Sequence, residues 1–275
     1  MDISWQPYDG DPDGTVVGDV RVSDPIVADY LDIERELLAY LPPSYEDGDE
    51  HYPVVYMHDG QNLFDEATSY DGEWQVDETM ERLAEEELEA IVVGIPNAGE
   101  KRPIEYAPFY DPAAAPDDVD IPDDAEPMGD AYADWLLKTV RPAVESTFRV
   151  SDVRGVFGSS MGGLISLYSF FRDPEAFAFV GAMSPAVGGP WHEMIECIED
   201  AEYVDGRVYV DVGGDEFSDD PDLSDAFESG AERLVETLES VGYDEQLRYV
   251  YDDDAIHHES EWARRFPDAI RFLLP

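Results

Sequence analysis

Short apolar runs alternate with amphipathic stretches along most of this 275-residue chain. The apolar runs predict β-strands, and the stretches in which apolar residues recur every three or four positions predict helices. Strands are predicted at 35–41, 54–58, 90–95, 153–157, 179–183, 207–212 and 246–251, and helices at 75–87, 131–148, 161–171, 226–241 and 259–273. Strands that alternate with helices indicate an α/β fold, in which a mostly parallel central sheet carries helices on both faces.

The pattern shows no internal repeat and no linker, so one domain spanning residues 1–275 is predicted. The first two strands are separated only by an acidic turn and predict an antiparallel start to the sheet. Residues 1–32, rich in Asp, Gly and Pro, are interpreted as an acidic extension or as edge strands. Residues 96–129 form a long loop after a central strand. Open α/β sheets bind ligands at that end, so we expect this loop near the active site.

The charge balance is extreme, with 66 acidic residues against 16 basic ones and a net charge of −50. Hydrophobic residues still make up 43% of the chain, which predicts a folded core inside a carboxylate-covered surface. At about 1 M salt the Debye length falls to roughly 3 Å, so such a surface no longer repels itself. We therefore expect a halophilic protein. The same charge argues against binding to nucleic acid or to anionic membranes.

The N-terminal residues have neither a basic start nor an apolar core, and no stretch reaches the length of a membrane span. These features lead us to expect a cytoplasmic protein. The single cysteine, Cys197, excludes an internal disulfide and argues against most zinc sites.

An acidic turn near the N-terminus resembles the opening of an EF-hand calcium loop. Its matching residues are Asp9, Asp11, Asp13 and Gly14. The twelfth position of such a loop holds Glu, whereas this chain has Val20 there. An ordinary acidic turn is the simpler interpretation, and cation binding at this turn stays open.

The strongest chemical signal is the G-x-S-x-G stretch at 158–162, between a predicted strand and a predicted helix. In that setting the central residue, Ser160, lies on a sharp turn that exposes its hydroxyl. Gly158 and Gly162 allow the strand and the helix to approach closely. Small-residue loops also match this short motif, but the strand before it, the helix after it and the partners downstream favour a serine nucleophile.

A serine nucleophile needs a base and an acid. In the chain order serine, acid, histidine, the base follows the last strand, where His257 and His258 lie. His257 is favoured because it is nearer to the strand, and His258 stays open. The acid is expected after the strand at 207–212, where a Gly-Gly turn precedes Asp215 and Glu216. Position alone does not choose between these two carboxylates.

The developing oxyanion needs preformed donors. The backbone N–H of Met161, directly after the nucleophile, is one candidate, and that of Gln61, after an early strand, is the other. Gly60 permits close approach of the backbone beside Gln61. We interpret His58 and Asp59 as structural residues that brace this loop.

Several stretches, in order along the chain, together resemble a known family. They are 56–64 (YMHDGQNLF), 94–97 (GIPN) with Arg102, Glu105 and Tyr106, 158–163 (GSSMGG), 210–216 (VDVGGDE), and 257–259 (HHE) with Trp262 and Arg265. This set, within residues 35–275, is similar to the esterase D and enterochelin-esterase-like esterases of the α/β-hydrolase superfamily.

The resemblance implies hydrolysis of a small-molecule carboxylic ester through an acyl-enzyme, without a metal or an organic cofactor. The last carboxylate of the acid turn is usually the catalytic one in this family, which favours Glu216 over Asp215. The candidate substrate-binding residues are Gly60, Asn97, Arg102, Tyr106 and Trp191. An acyltransferase of the same fold and a non-catalytic ligand-binding protein are the alternatives. The sequence fixes neither the ester nor the oligomeric state.

Overall fold

The computed structural model describes residues 3–10, 14–114, 121–122, 124–201 and 203–275. Within them the strands are β1 (Trp5–Pro7), β2 (Asp19–Ser23), β3 (Ile26–Ala28), β4 (Ile33–Arg35), β5 (Leu38–Leu41), β6 (Tyr52–His58), β7 (Ile91–Ile95), β8 (Val150–Ser159), β9 (Phe179–Met183), β10 (Arg207–Gly213) and β11 (Leu247–Asp252). The helices are α1 (Val76–Ala84), α2 (Arg102–Glu105), α3 (Gly129–Trp135), α4 (Arg141–Glu145), α5 (Met161–Arg172), α6 (Glu193–Ala201), α7 (Pro221–Val241) and α8 (Glu259–Leu273).

The central sheet has the strand order β1-β2-β5-β7-β6-β8-β9-β10-β11. Strand β6 runs parallel to β7, and β10 runs parallel to both β9 and β11. Strands β1, β2 and β5 form an antiparallel edge, and β5 is also antiparallel to β7. Strands β3 and β4 pair separately. This largely parallel sheet with its helices confirms the predicted α/β class.

The first two predicted strands do not pair with each other. Strand β5 lies between β2 and β7, and β6 lies on the other side of β7. Strand β6 is buried along almost its whole length and β7 along all of it, which is typical of strands in the middle of a parallel sheet. The antiparallel start is therefore present, but its partners are β2 and β7 rather than β6.

The long helix predicted at 131–148 is interrupted. Helix α3 passes into a π-helical turn at Leu136–Val140, and α4 begins directly after it with Pro142 in its first turn. Proline lacks a backbone N–H and is tolerated at the start of a helix, where that donor has no partner inside the helix. Pro142 therefore marks the beginning of a new helical segment.

The chain forms two compact units. The first consists of Met1–Asn97, Asp134–Gly155 and His258–Pro275, and the second of Ala98–Ala133 and Val156–His257. In the first unit, β6 and β7 supply a continuous run of buried side chains. In the second, β9 is wholly buried and α5 is buried on nearly every side, as expected of a helix that is apolar all round. The single domain stays a prediction.

Two further sequence predictions meet the structure here. Asp11 and Asp13 of the acidic N-terminal turn lie outside the described residues. No helix in the described part of the chain combines the length and the apolar character that crossing a membrane requires.

Candidate active site

Ser160 lies between the end of β8 and the start of α5, with φ 54° and ψ −124°. The backbone of a non-glycine residue with positive φ is strained by about 1–3 kcal/mol, and this conformation persists only where the surrounding structure holds it. Here the Ser160 N–H donates to the Met183 carbonyl at 2.9 Å, and the Ser160 carbonyl accepts from the Ala186 N–H at 3.1 Å. The turn after β9 thus fixes the backbone of the proposed nucleophile on both sides.

The glycines around Ser160 are required by close packing. A Cβ atom added to Gly158 would lie 2.6 Å from the backbone of Gly162, which is closer than real Cβ atoms approach other heavy atoms. The strand and the helix therefore approach each other as the G-x-S-x-G pattern predicts.

The imidazole of His257 meets the carboxylate of Glu216. Nδ1 of His257 lies 2.5 Å from Oε2 of Glu216, and the His257 N–H donates to the Glu216 carbonyl at 2.8 Å. Glu216 is 2% exposed and lies three residues after the end of β10. The rings of Phe217 and Phe227 lie 4.9 Å and 5.2 Å from that of His257, so they confine the imidazole.

Three donors hold the Glu216 carboxylate. Besides His257, its Oε1 accepts from the Ser184 hydroxyl at 2.6 Å and from the Gly213 N–H at 2.5 Å. Burial raises the pKa of Glu216, but the hydrogen bonds from His257, Ser184 and Gly213 outweigh it and hold the pKa below its ordinary value. Glu216 is therefore ionised at neutral pH.

The two alternative residues have other partners. Asp215 is exposed, and its Oδ2 accepts from the Ser218 hydroxyl at 2.7 Å. His258 is the N-cap of α8, where its Nδ1 accepts from the Ser260 N–H at 3.1 Å. The structure therefore brings Glu216 to His257, and places Asp215 and His258 in local turns.

Sequence reasoning missed Ser184. It follows β9 directly, is fully buried, and has φ 41°. Its N–H donates to the Asp211 carbonyl at 2.9 Å, which ties the end of β9 to β10. The signal in the sequence is the position of this serine at the C-terminal end of a predicted strand, because parallel sheets bind their ligands at that end.

Ser160, Met161 and His257 line one cavity of about 320 Å³. The rest of its lining is mostly apolar, from Val187, Pro190, Trp191, Phe217, Leu223, Ala226 and Phe227. Nε1 of Trp191, one of the lining residues, is buried and has no hydrogen-bond partner among the described residues. In the predicted long loop, the Asp111 N–H donates to the Pro190 carbonyl at 2.9 Å, which ties this loop to the cavity lining.

Gln61 and Gly60 belong to the first unit, in the turn after β6. A Cβ atom on Gly60 would lie 2.5 Å from the backbone of Gly94 and of Ile95, so no other residue fits there without displacing β7. Asn97 braces the turn: its side-chain amide donates to Oδ1 of Asp59 at 2.6 Å, and its N–H donates to Oε1 of Gln61 at 3.2 Å. The Gln61 side chain is thus held in place.

The remaining candidates for substrate binding differ in exposure. Tyr106 is completely buried, with its ring 5.2 Å from that of Tyr132. The guanidinium of Arg102 lies 5.4 Å from the centre of the Tyr106 ring. Among these candidates of the second unit, Trp191 lines the cavity that contains Ser160.

Comparison with known proteins gives a family match over most of the chain. Residues 28–273 match the model of the Esterase family, described as "Putative esterase". The chain is 28% identical over 247 residues to the uncharacterized protein YbbA of Bacillus subtilis, covering 87% of this chain and 92% of YbbA. It is 29% identical over 145 residues to the siderophore triacetylfusarinine C esterase of Aspergillus fumigatus, covering 49% of this chain and 44% of that protein.

The structure is similar to that of the siderophore hydrolase EstA from Aspergillus nidulans. The TM-score is 0.73 at 18% identity, and the likeness covers 99% of this chain and 94% of EstA. At this level of identity the likeness shows the fold, which is the predicted α/β-hydrolase fold.

Proposed function

Because the chain belongs to the Esterase family and is an ester hydrolase, we propose that it is a serine carboxylesterase that works through an acyl-enzyme. Ser160 is its nucleophile, His257 its general base and Glu216 the acid that orients His257. One observation carries the proposal: His257, whose Nδ1 lies 2.5 Å from Oε2 of Glu216, lines the same cavity as Ser160.

The proton relay follows from these contacts. Ionised Glu216 accepts the Nδ1–H of His257, so Nε2 carries the lone pair and acts as the base. Nε2 takes the proton of the Ser160 hydroxyl while Oγ attacks the ester carbonyl. It then gives that proton to the departing alcohol, which leaves an acyl-enzyme. Water, deprotonated by the same nitrogen, attacks the acyl carbonyl and releases the acid, and the proton returns to Oγ.

The carbonyl oxygen that becomes negative in both steps needs donors. Met161 is the first residue of α5, so its N–H has no partner in the helix and lies at the positive end of the helix dipole. The Gln61 N–H stays the sequence's prediction for the second donor. Within its own unit, the tight packing of Gly60 and the bracing by Asn97 hold the turn that carries Gln61.

The cavity favours a neutral ester with one ring-sized apolar group. Its lining buries apolar surface, and we assign the Nε1–H of Trp191, which has no partner among the described residues, to a hydroxyl or carbonyl oxygen on that group. A hydroxyaryl ester meets this description. Siderophore esters, named for two of the similar proteins, are the second class to assay. The acidic surface further suggests that the enzyme works in concentrated salt.

The test is a Ser160→Ala variant, assayed with p-nitrophenyl butyrate in molar NaCl. Loss of the nucleophile costs on the order of 10⁶ in kcat in such a triad, and labelling by a fluorophosphonate probe is expected to vanish. Ser169→Ala is the matched control, because Ser169 is also buried in α5 and its hydroxyl has no partner among the described residues. Undiminished hydrolysis or labelling by Ser160→Ala excludes Ser160 as the nucleophile.

The same assay separates the alternatives. Free acid as the product in the presence of added glycerol supports a hydrolase, and acylglycerol as the main product identifies an acyltransferase. A wild-type protein that neither hydrolyses esters nor reacts with the probe is a binding protein that retains the fold.

A further inference from the structure

Three carboxylates converge at the start of α1, in the first unit. Asp77 and Glu78 lie in the first turn of this helix, and Glu73 lies just before it. One carboxylate oxygen from each of the three residues lies within 4.8 Å of the other two. Asp77 is completely buried, Glu73 is 9% exposed and Glu78 is half-buried, so the cluster reaches from the interior to the edge of the surface.

Among the described residues, one oxygen of each carboxylate has no partner. Oε1 of Glu73, Oδ1 of Asp77 and Oε2 of Glu78 are buried and accept no hydrogen bond from this part of the chain. The other oxygen of Asp77 accepts from the Val17 N–H at 2.7 Å, which attaches the segment before β2 to α1. Buried carboxylates are normally paired with a cation or fully hydrogen-bonded, because desolvation of an unpaired one costs several kcal/mol.

The N-terminus of α1 does not offset the cost of desolvating these carboxylates. A helix N-terminus stabilises a carboxylate by about 0.3–1 kcal/mol, which is less than the desolvation penalty. A cation bound among the unpartnered oxygens offsets this cost.

We propose that Glu73, Asp77 and Glu78 bind a calcium ion that fastens the segment around Val17 to α1. Carboxylate oxygens are hard ligands, and Ca²⁺ takes six to eight of them at about 2.3–2.6 Å in flexible geometry. Two ligands on opposite sides of such an ion lie about 5 Å apart, which accommodates the spacing here. Mg²⁺, at about 2.0–2.1 Å, requires a narrower and near-octahedral arrangement. Protons shared among the carboxyls are the competing occupant.

The experiment compares melting temperatures of the full-length chain in molar NaCl, first with a chelator and then with excess CaCl₂. At a hundredfold excess over its Kd, a ligand of the folded state raises the Tm of a chain of this size by roughly 5–10 °C. Asp77→Asn is the informative variant, since its amide oxygen still accepts from Val17 while the charge is gone. We expect this variant to melt above the wild type in chelator and to show no response to calcium.

Glu85→Gln is the matched control, because Glu85 is exposed at the end of the same helix. It is expected to retain the full calcium response. A wild-type Tm that is indifferent to calcium, or an equal response of Asp77→Asn, overturns the proposal and leaves protons as the occupant. An equal rise with MgCl₂ overturns the assignment to calcium.

Direct titration keeps the test independent of variant folding. Terbium, a luminescent substitute for calcium, is expected to bind the wild type at one tight site and to emit on excitation of tryptophan, since Trp74 adjoins Glu73. Calcium in excess is expected to displace it. Terbium emission that is unchanged in both Asp77→Asn and Glu73→Gln, or that calcium does not displace, contradicts a site at this cluster.

Discussion

The hydroxyl of Ser184 donates to Oε1 of Glu216 at 2.6 Å, and both side chains are buried. Ser184 contacts the acid on the oxygen that His257 does not use, because His257 lies against Oε2. The hydroxyl therefore fixes the orientation of the carboxylate and, through it, that of the imidazole. We regard Ser184 as a positioning residue of the proposed triad.

Removing this hydroxyl tests its positioning role. Hydrogen bonds to charged groups contribute about 1.5–3 kcal/mol, and loss of roughly half of that in the transition state lowers kcat about tenfold. We expect Ser184→Ala to lower kcat by that factor with little change in KM, since Ser184 does not line the cavity. Ser169→Ala, a buried serine without a partner, is expected to leave both constants unchanged. A pure loss of stability at normal kcat refutes the positioning role.

The choice of acid gives a second prediction. Glu216→Gln is expected to lower kcat by about 10³–10⁴, because a neutral amide no longer stabilises the charged imidazole or fixes its tautomer. Asp215→Asn, at an exposed position, is expected to keep kcat within about twofold, as surface substitutions usually do. Steady-state kinetics on one p-nitrophenyl ester compare the two. If the larger loss falls on Asp215→Asn, the assignment of the acid is reversed.

The proposed donor, the Nε1–H of Trp191, predicts a change in selectivity between hydroxyaryl and alkyl esters. Trp191→Phe keeps an aromatic ring but removes the Nε1–H. For a hydroxyaryl ester the loss of one neutral hydrogen bond, about 1 kcal/mol, lowers kcat/KM roughly fivefold. For a plain alkyl ester we expect little change. The ratio of the two kcat/KM values is the measurement, and an equal fall for both esters shows that Trp191 acts through shape alone.

The net charge of −50 predicts that stability depends on salt. The Debye length falls from about 10 Å at 0.1 M to about 3 Å at 1 M, so molar NaCl removes most of the surface repulsion. We expect the Tm to rise steeply over this range. Isosmotic sucrose, which does not screen charge, serves as the control. A Tm that is the same in dilute buffer and in molar NaCl contradicts a halophilic protein.

Much of the fold could be predicted because the pattern of hydrophobic and polar residues is strong in its buried strands and in its longer helices. The predicted bounds of β9 and α8 agree with the structure, and α5 differs by a single residue. Strands β1, β2 and β3 lie within residues 1–32, for which edge strands were one of two interpretations. Their bounds could not be predicted, since three to five residues in a segment rich in Asp and Pro are too few to show alternation. The pairing of β5 with β7 could not be predicted from the sequence either, because it depends on packing between distant segments of the chain.

Part of the candidate site could also be predicted from the sequence. The elbow and the order of serine, acid and histidine predicted Ser160 and His257, because strand ends gather at one edge of a parallel sheet. The choice between Asp215 and Glu216 depends on the direction of one turn, which position in the sequence does not give. The contact of Ser184 with Glu216 could not be predicted, since it depends on the pairing of β9 with β10.

The turn after β9 has a consequence for the way this enzyme can vary. Ser184 holds the carboxylate, while two residues later the Ala186 N–H holds the carbonyl of Ser160. A tripeptide with proline at its centre therefore links the proposed nucleophile to the proposed acid, and a substitution within it is expected to disturb both. Leu223 also lines the cavity and makes neither contact, so it is the safer position at which to change specificity.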